Sequence, residues 1–319
     1  MKYIRLNTTD PYYNLAVEEF LFRSCEDDIF MLWQNAPSVI VGKNQNVYAE
    51  TDIDYTRKNG IFTVRRITGG GAVYHDLGNI NYSFITSKSR AAVLDFAYFT
   101  SPIISALSSL GIECALSGRN DLECAGRKFS GNAQAGSDDR ILHHGTLLFD
   151  TDLDKMSAAL KADREKLEYK AVKSHKSRVV NLSDLLQEQL TAEEFIGHIE
   201  RHIIENMNAE RLDAPQNSEI ISLYQRNSSD EWIYSDRRYL TSYSINRRKK
   251  YHFGIVNIGM SLNKDVIESI IISGDFFGTR SIHELEEKLT GMTLCDVKNI
   301  DPSPYIDKMT RDEFFELLK

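Results

Sequence analysis

Apolar residues along this chain recur with two spacings, one fitting strands and the other helices. Ile61-Phe62-Thr63-Val64 is a β-branched, aromatic run and predicts a strand, as do residues 2–7. Asn81-Tyr82-Ser83-Phe84-Ile85 alternates polar and apolar, the pattern of a half-buried strand. Phe30-Met31-Leu32-Trp33 and Ser38-Val39-Ile40-Val41 predict two paired strands, turned by Gln34-Asn35-Ala36-Pro37. Leu122-Glu123-Cys124 and Lys128-Phe129-Ser130 predict a hairpin about Ala125-Gly126, followed by a strand at residues 143–150. Helical spacing begins at Asp10-Pro11, where proline suits a first turn, and puts Leu15 and Phe22 on one face. A short helix is expected at residues 54–59 before Gly60, and an amphipathic one at 101–111.

The second half is more helical. Residues 155–161 predict a helix, and Thr191-Ala192-Glu193-Glu194 is a capping box ahead of Phe195, Ile199, Ile203 and Met207. Residues 170–181 form a basic, serine-bearing segment expected as a mobile loop, and 211–230 read as a polar connection. Trp232-Ile233-Tyr234 is expected to be extended. Strands are predicted at residues 251–260 and 269–273, and capping boxes at Ser281 and Thr310 each open a helix. This ββα-like tail predicts a division into residues 1–243 and a small second domain, 244–319. Strands interleaved with hairpins, and helices grouped apart from them, predict an α+β class.

Composition narrows the class. The 319 residues are 42% hydrophobic and 26% charged, ordinary for a soluble globular protein with one large or two smaller domains. A net charge of −8 without a run of lysine and arginine argues against general nucleic-acid binding. No apolar segment is long enough for a bilayer, and the N-terminus lacks a charged-then-apolar export pattern. Cys25, Cys114, Cys124 and Cys295 lie far apart, as expected of reduced cytoplasmic thiols. Neither GxGxxG after the first strand, nor GxxxxGK[ST], nor a GxSxG elbow occurs.

Two stretches could carry chemistry. Arg65 and Arg66 precede Gly69-Gly70-Gly71, a run whose missing Cβ atoms let a ligand approach backbone amides while an arginine fork supplies planar donors. The same glycines also fit a plain tight turn; His75-Asp76 nearby favours a ligand site. In the second stretch, Lys128 follows Arg119, Asn120 and Asp121. A lysine between a carboxylate and a phosphate would stabilise charge as one attacks the other, and Asp121 could hold Mg²⁺. A solvated lysine on a structural hairpin is the plainer alternative. Neighbouring His143 and His144 on a strand point to opposite faces, so at least one is expected to be structural.

RRITGGGAVYHDLGN, GRNDL, GRKFSGNAQ, HHGTLLFDTDL and KSRVVNL occur in this order, and the chain resembles lipoate–protein ligases of the LplA type along nearly its whole length. NLAVEEF, WQNAPSVIVGKNQN and SGDFF fit the same resemblance. It implies an α+β catalytic domain related to biotin ligases and to class II aminoacyl-tRNA synthetase cores, with a small C-terminal accessory domain. It also implies activation of lipoate by ATP to lipoyl-AMP, then transfer to a lysine of a lipoyl-domain protein. The acceptors implied are glycine-cleavage H protein and the E2 subunits of 2-oxoacid dehydrogenases, with no nucleic acid or membrane as partner. By motif position, Lys128 resembles the central lysine that contacts both carboxyl and α-phosphate. Arg66 and the amides of Gly71, Ala72, Val73 and Tyr74 resemble the ATP-binding set, and Asn120 and Asp121 the polar pair beside the phosphates and Mg²⁺. Lipoate is expected at Lys128, Gly70, Gly71, His75 and Trp33, and Lys173, Ser174, Ser177 and Arg178 resemble a loop closing over the adenylate.

A dithiolane on a short tail needs an apolar slot, for which Trp33 and Val39 or Val41 are candidate walls; Trp33 reads equally well as core. Three alternatives stay open. One is an octanoyl- or lipoyltransferase working through a cysteine thioester, with Cys124 near Lys128. The others are a lipoyltransferase that uses preformed lipoyl-AMP and a non-catalytic binder of acylated proteins.

Overall fold

The computed structural model of this chain describes residues 1–161, 178–234 and 241–319. Its frame is a sheet of eight strands among the described residues, in the order β11-β1-β2-β6-β10-β9-β8-β7. These are β1 (Lys2–Arg5), β2 (Ile29–Trp33), β6 (Asn79–Ser87), β7 (Ala115–Ser117), β8 (Asp121–Cys124), β9 (Arg127–Gly136), β10 (Arg140–Leu148) and β11 (Glu210–Leu212). A second, three-stranded sheet runs β4-β3-β5, from β3 (Ser38–Val41), β4 (Phe62–Arg65) and β5 (Val73–His75). The α+β expectation holds.

The predicted pairing of β2 with β3 does not. β2 lies between β1 and β6 in the large sheet, whereas β3 pairs with β4 and β5 in the small one. Both strands are buried at every position, so each needs partners and packing on two faces, which a hairpin alone cannot give. β6 likewise is buried from Asn79 to Thr86 rather than half-exposed. Its polar Asn79, Asn81 and Ser83 point inward, where Asn79 donates to Asn81 at 2.9 Å and Ser83 to Glu18 at 2.6 Å.

Helices α1 (Pro11–Ser24), α2 (Val47–Glu50), α3 (Ile53–Lys58), α4 (Phe96–Ser108), α5 (Leu153–Ala159) and α6 (Ala192–Met207) pack around this frame. The Asp10 carboxylate caps α1, accepting from the Tyr12 and Tyr13 amides at 2.9 and 3.2 Å. Thr191 and Glu194 close the predicted capping box on α6. One face of the large sheet packs Phe30, Tyr82 and Phe84 against Phe99 and Ile103 of α4 and Phe195 and Ile199 of α6. The other face places Met31, Trp33 and Ile85 against Leu15 of α1 and Ile40 of β3.

Two expectations in the middle fail. The supposed polar connection contains β11 and helix α7 (Ser218–Asn227), and the supposed extended piece is helix α8 (Asp230–Ile233). The buried residues of α7, Ile220, Leu223 and Asn227, do fall at helical spacing, but an asparagine in that stripe and the exposed Ile221 beside it mask the period, and α7 joins α1 through Arg226 and Glu19. The Ser229 side chain caps α8 by accepting from the Trp232 amide.

From Ile245 onward a third sheet takes over, β12 (Ile245–Tyr251), β13 (Gly254–Asn263) and β14 (Val266–Gly274), with α9 (Ile282–Leu289) and α10 (Arg311–Leu318). The tail is thus βββαα rather than ββα: the predicted strand corresponds to β13, and β12, formed by the charged run Asn246-Arg247-Arg248-Lys249-Lys250 ahead of it, carries too few apolar positions to be read as a strand. Val256, Ile258, Ile270, Ile272, Leu285 and Phe314 share one separate core. Thr310 forms its capping box, whereas the Ser281 side chain makes no capping hydrogen bond although α9 starts where expected.

Candidate active site

Between the two N-terminal sheets lies a cleft of ≈ 600 Å³, its open mouth included. β2 contributes Trp33, β6 Asn81, and β10 His144, Gly145 and Thr146, while β3 adds Ile40 and the β4–β5 loop adds Gly70, Gly71 and Ala72. Lys128, Gly131, Asn132 and Ala133 of β9 complete the mouth, with Asn120 beside them. Trp33, Arg66, Gly70, Gly71, Ala72, Val73, His75, Asn120 and Lys128, all singled out in the sequence, therefore meet in one place.

Some expected residues lie elsewhere. Val39 and Val41 face an opposite core with Val47 and Tyr74, because alternation along β3 turns only Ile40 toward the cleft. The Tyr74 side chain is buried in that same core, which leaves untouched the expectation for its backbone amide. Asp121 does not line the cleft; its carboxylate accepts from the Lys128 ammonium at 2.7 Å. Lys173, Ser174 and Ser177 lie outside the described residues, and Arg178 is exposed.

Backbone geometry aims Lys128. Leu122 pairs with Ser130, but Glu123 pairs with Lys128, so Phe129 is the extra residue of a β-bulge. The bulge lays the lysine chain back along its own strand. A Cβ on Gly131 would stand 3.1 Å from Nζ. The Lys128 amide donates to the Arg178 carbonyl at 2.8 Å, and the Val180 amide donates back to Lys128 at 2.9 Å. The edge that bears the lysine is thus held by the strand-like piece 178–180. Asn120 is pinned in turn, donating to the Asn132 carbonyl at 2.6 Å and accepting Asn132 Nδ2 on its own carbonyl at 3.0 Å.

Arg66 is buried at the edge of the cleft, and its guanidinium holds the glycine loop in shape. Nη1 donates to the Ile40 carbonyl at 3.0 Å, and Nη2 to the carbonyls of Gly69 and Gly71 at 2.7 and 2.8 Å. Burial pushes this guanidinium down to about 10, with Glu18 opposing the shift, so it stays charged at neutral pH. Gly70 has φ 88°, a left-handed backbone, and a Cβ there would lie 3.1 Å from both Arg66 Nη2 and the Phe277 ring.

His75 is buried beside Trp33, with ring centroids 6.3 Å apart. The Asn35 amide donates to its Nδ1 at 3.0 Å, which places the ring proton of the neutral form on Nε2. Burial, then Arg66 and His144, pushes His75 down to about 3, so the ring is neutral at physiological pH. Its Nε2 is buried without a partner and belongs to a side chain lining the cleft. A buried donor in that state is set to receive an acceptor from a ligand.

The adjacent histidines separate as alternation requires. His143 stacks on Phe99 at 4.9 Å in the opposite core, and burial pushes its pKa down. His144 faces the cleft. Asn81, Asn132, His144 and Thr146 were not singled out for the cleft, although two quoted motifs contain three of them; only their strand parity identifies them. No cysteine lines the cleft: Cys124 packs on the large core, and burial pushes neighbouring Cys114 up to about 11. Among the described residues no three His, Cys, Asp or Glu side chains converge as a metal cluster.

The C-terminal sheet touches this site through its SGDFF segment. The Gly274 amide donates to the Asn44 carbonyl at 2.9 Å, and the Arg119 guanidinium donates to the carbonyls of Phe253 and Asp275.

Comparison with known proteins identifies the family. Residues 10–204 match the family described as the lipoyl protein ligase A/B catalytic domain, and residues 241–318 match the bacterial lipoate protein ligase C-terminus. Lipoate-protein ligase LplJ of Bacillus subtilis is 38% identical over 324 residues, covering 98% of each chain. The bipartite lipoate protein ligase of Thermoplasma acidophilum, solved in a study of that enzyme and its E2 lipoyl domain, is 31% identical with a TM-score of 0.66 over 73% of this chain and 95% of that one. A lipoate-protein ligase A bound with ATP is 28% identical, with a TM-score of 0.62 over 73% and 98% of the two chains. On sequence and fold together, this chain belongs to the lipoyl protein ligase A/B family.

Proposed function

We propose that this protein is an ATP-dependent lipoate–protein ligase that forms lipoyl-AMP and passes the lipoyl group to a lysine of a lipoyl-domain protein. The observation that carries the reading is the position of Lys128. Its ammonium stands at the mouth of a cleft whose wall is Trp33 and whose rim is the glycine loop braced by Arg66.

In this reading the lipoyl tail lies along Trp33, Ile40 and Leu15, and its carboxylate reaches Lys128. The neutral His75 Nε2–H offers a donor within the slot. ATP places its phosphates over the loop at Gly71 and Ala72, beside Asn120. A carboxylate oxygen then bonds to the α-phosphorus as pyrophosphate leaves. Lys128, held by Asp121, balances the negative charge gathered between the two reactants. In the second half-reaction the acceptor amine bonds to the acyl carbon, loses its proton, and releases AMP. Neither step requires an enzyme nucleophile, in keeping with a cleft lined by no cysteine. That favours a ligase over a thioester-forming transferase.

Asp121 lies just behind the cleft-lining Gly131, 3.9 Å from a Cβ placed there, and with one carboxylate oxygen on Lys128 it would be the residue to hold Mg²⁺ beside the phosphates. The ion would neutralise phosphate charge. Acceptors of the H-protein and E2 types fit the reading, as does a division of the chain into a catalytic domain, 1–243, and an accessory domain, 244–319. The separate sheet and core of the tail support that division.

The test is ATP–pyrophosphate exchange with lipoate, octanoate and biotin. Lipoate-dependent exchange is expected. Absence of exchange, with lipoyl transfer from supplied lipoyl-AMP intact, would establish the transferase alternative instead.

A further inference from the structure

The wall of the acyl slot and the glycine loop are joined by one buried chain of hydrogen bonds. Trp33 Nε1 donates to Ser83 Oγ at 3.0 Å, and Ser83 donates to Glu18 Oε1 at 2.6 Å. From the other side, Arg66 Nε donates to Thr68 Oγ1 at 2.9 Å, and Thr68 Oγ1 lies 2.8 Å from His144 Nε2. His144 Nδ1 lies 3.0 Å from both carboxylate oxygens of Glu18. Both ring nitrogens of His144 are thus engaged, Nδ1 with the Glu18 carboxylate and Nε2 with the Thr68 hydroxyl. Two donor chains, one from Trp33 and one from Arg66, therefore converge on a single carboxylate that is 1% exposed.

Every link has one satisfied arrangement. Ser83 accepts from Trp33 and donates to Glu18, and Thr68 bridges Arg66 and His144, so neither hydroxyl can turn away without giving up a buried partner. Moving Trp33 or the loop separately would strand a polar group in a low-dielectric interior. We propose that Glu18, His144 and Thr68 are positioning residues that make the acyl slot and the nucleotide loop one mechanical unit, so that either ligand prepares the site for the other. This rests on the ligase reading, with lipoate against Trp33 and ATP on the loop. Arg66 transmits the effect because the same guanidinium holds Thr68 and the carbonyls of Gly69 and Gly71.

Calorimetric titration of lipoate, with and without a non-hydrolysable ATP analogue, tests the inference on the full chain. Wild-type protein is expected to bind lipoate about tenfold more tightly when the analogue is present. Thr68→Val, nearly isosteric but without the hydroxyl, is expected to bring that ratio below about twofold, while Thr68→Ser restores it. Ser83→Ala cuts the other arm and is expected to lower the ratio likewise, which keeps the test available if Thr68→Val fails to fold. An unchanged ratio in a folded Thr68→Val or Ser83→Ala variant overturns the proposal. Wild-type binding of both ligands at a ratio near one removes the coupling alone. Failure of wild-type protein to bind either ligand removes the ligase reading, and the proposed coupling with it.

Discussion

The Arg119 guanidinium lies over the Phe277 ring, 4.3 Å from its centroid, and so ties the β7–β8 turn to the C-terminal sheet. Phe277 is 2% exposed and also packs against Phe96, with centroids 5.5 Å apart. Phe277→Ala is expected to cost about 3–5 kcal/mol by opening a cavity at this seam. Arg119→Ala is expected to cost about 1–2 kcal/mol, from the lost cation–π contact and its carbonyl partners. Urea midpoints of the two variants give both values; wild-type midpoints would show that the seam contributes nothing.

Lys128 and Gly131 allow the catalytic proposal to be separated from folding. Lys128→Ala is expected to slow lipoate-dependent pyrophosphate release about 10²–10³-fold with the fold intact. Gly131→Ala has ordinary backbone angles but directs a methyl at Lys128 Nζ, the free end of a flexible chain. It is expected to lose activity with little loss of stability. Equal activity in Gly131→Ala and wild type would mean that the amine need not lie where it is found.

Gly70→Ala should behave differently. Its left-handed φ and the crowding by Arg66 Nη2 and the Phe277 ring make any side chain strained, at about 1–2 kcal/mol from the backbone alone. Loss of both nucleotide binding and thermal stability is expected, read by analogue titration and a melting curve.

Trp33→Val enlarges the slot beside β2. It is expected to raise the ratio of kcat/KM for a bulkier carboxylic acid to that for lipoate, and to cost about 3 kcal/mol of stability. Should a folded variant keep the wild-type acid range, Trp33 is core and not a wall.

Histidine burial sets an acid limit. His75 and His143 are both held neutral by burial, whereas an unfolded chain protonates them near 6.5. Below that pH the unfolded state binds protons that the native state refuses. Stability is thus full above pH 6.5 and falls by about 1.4 kcal/mol per pH unit for each histidine as pH drops. Urea unfolding between pH 7.5 and 5 should show this slope, and His75→Gln should remove about half of it. A flat profile across that window would contradict neutral burial.

Much of the site could be read locally because close backbone approach demands glycine and charge stabilisation demands a lysine. Hence Gly70, Gly71, Arg66 and Lys128 stand out in the sequence and meet in the cleft. Strand parity was less accessible. Val39 and Val41 are as apolar as Ile40, and only the packing of two sheets decides which of them meets a ligand.

By itself the sequence determined the α+β class, the helix start at Asp10-Pro11, the caps at Thr191 and Thr310, the Ala125-Gly126 hairpin, and the polar residues that gather around Lys128. These follow from local rules, acting within a turn or two of chain. Tertiary structure alone decided that β2 and β3 belong to different sheets, that a bulge at Phe129 aims the lysine, and that Glu18 joins Trp33 to Arg66. Each of those outcomes depends on satisfying buried polar groups between segments distant in sequence, and no local pattern encodes that balance.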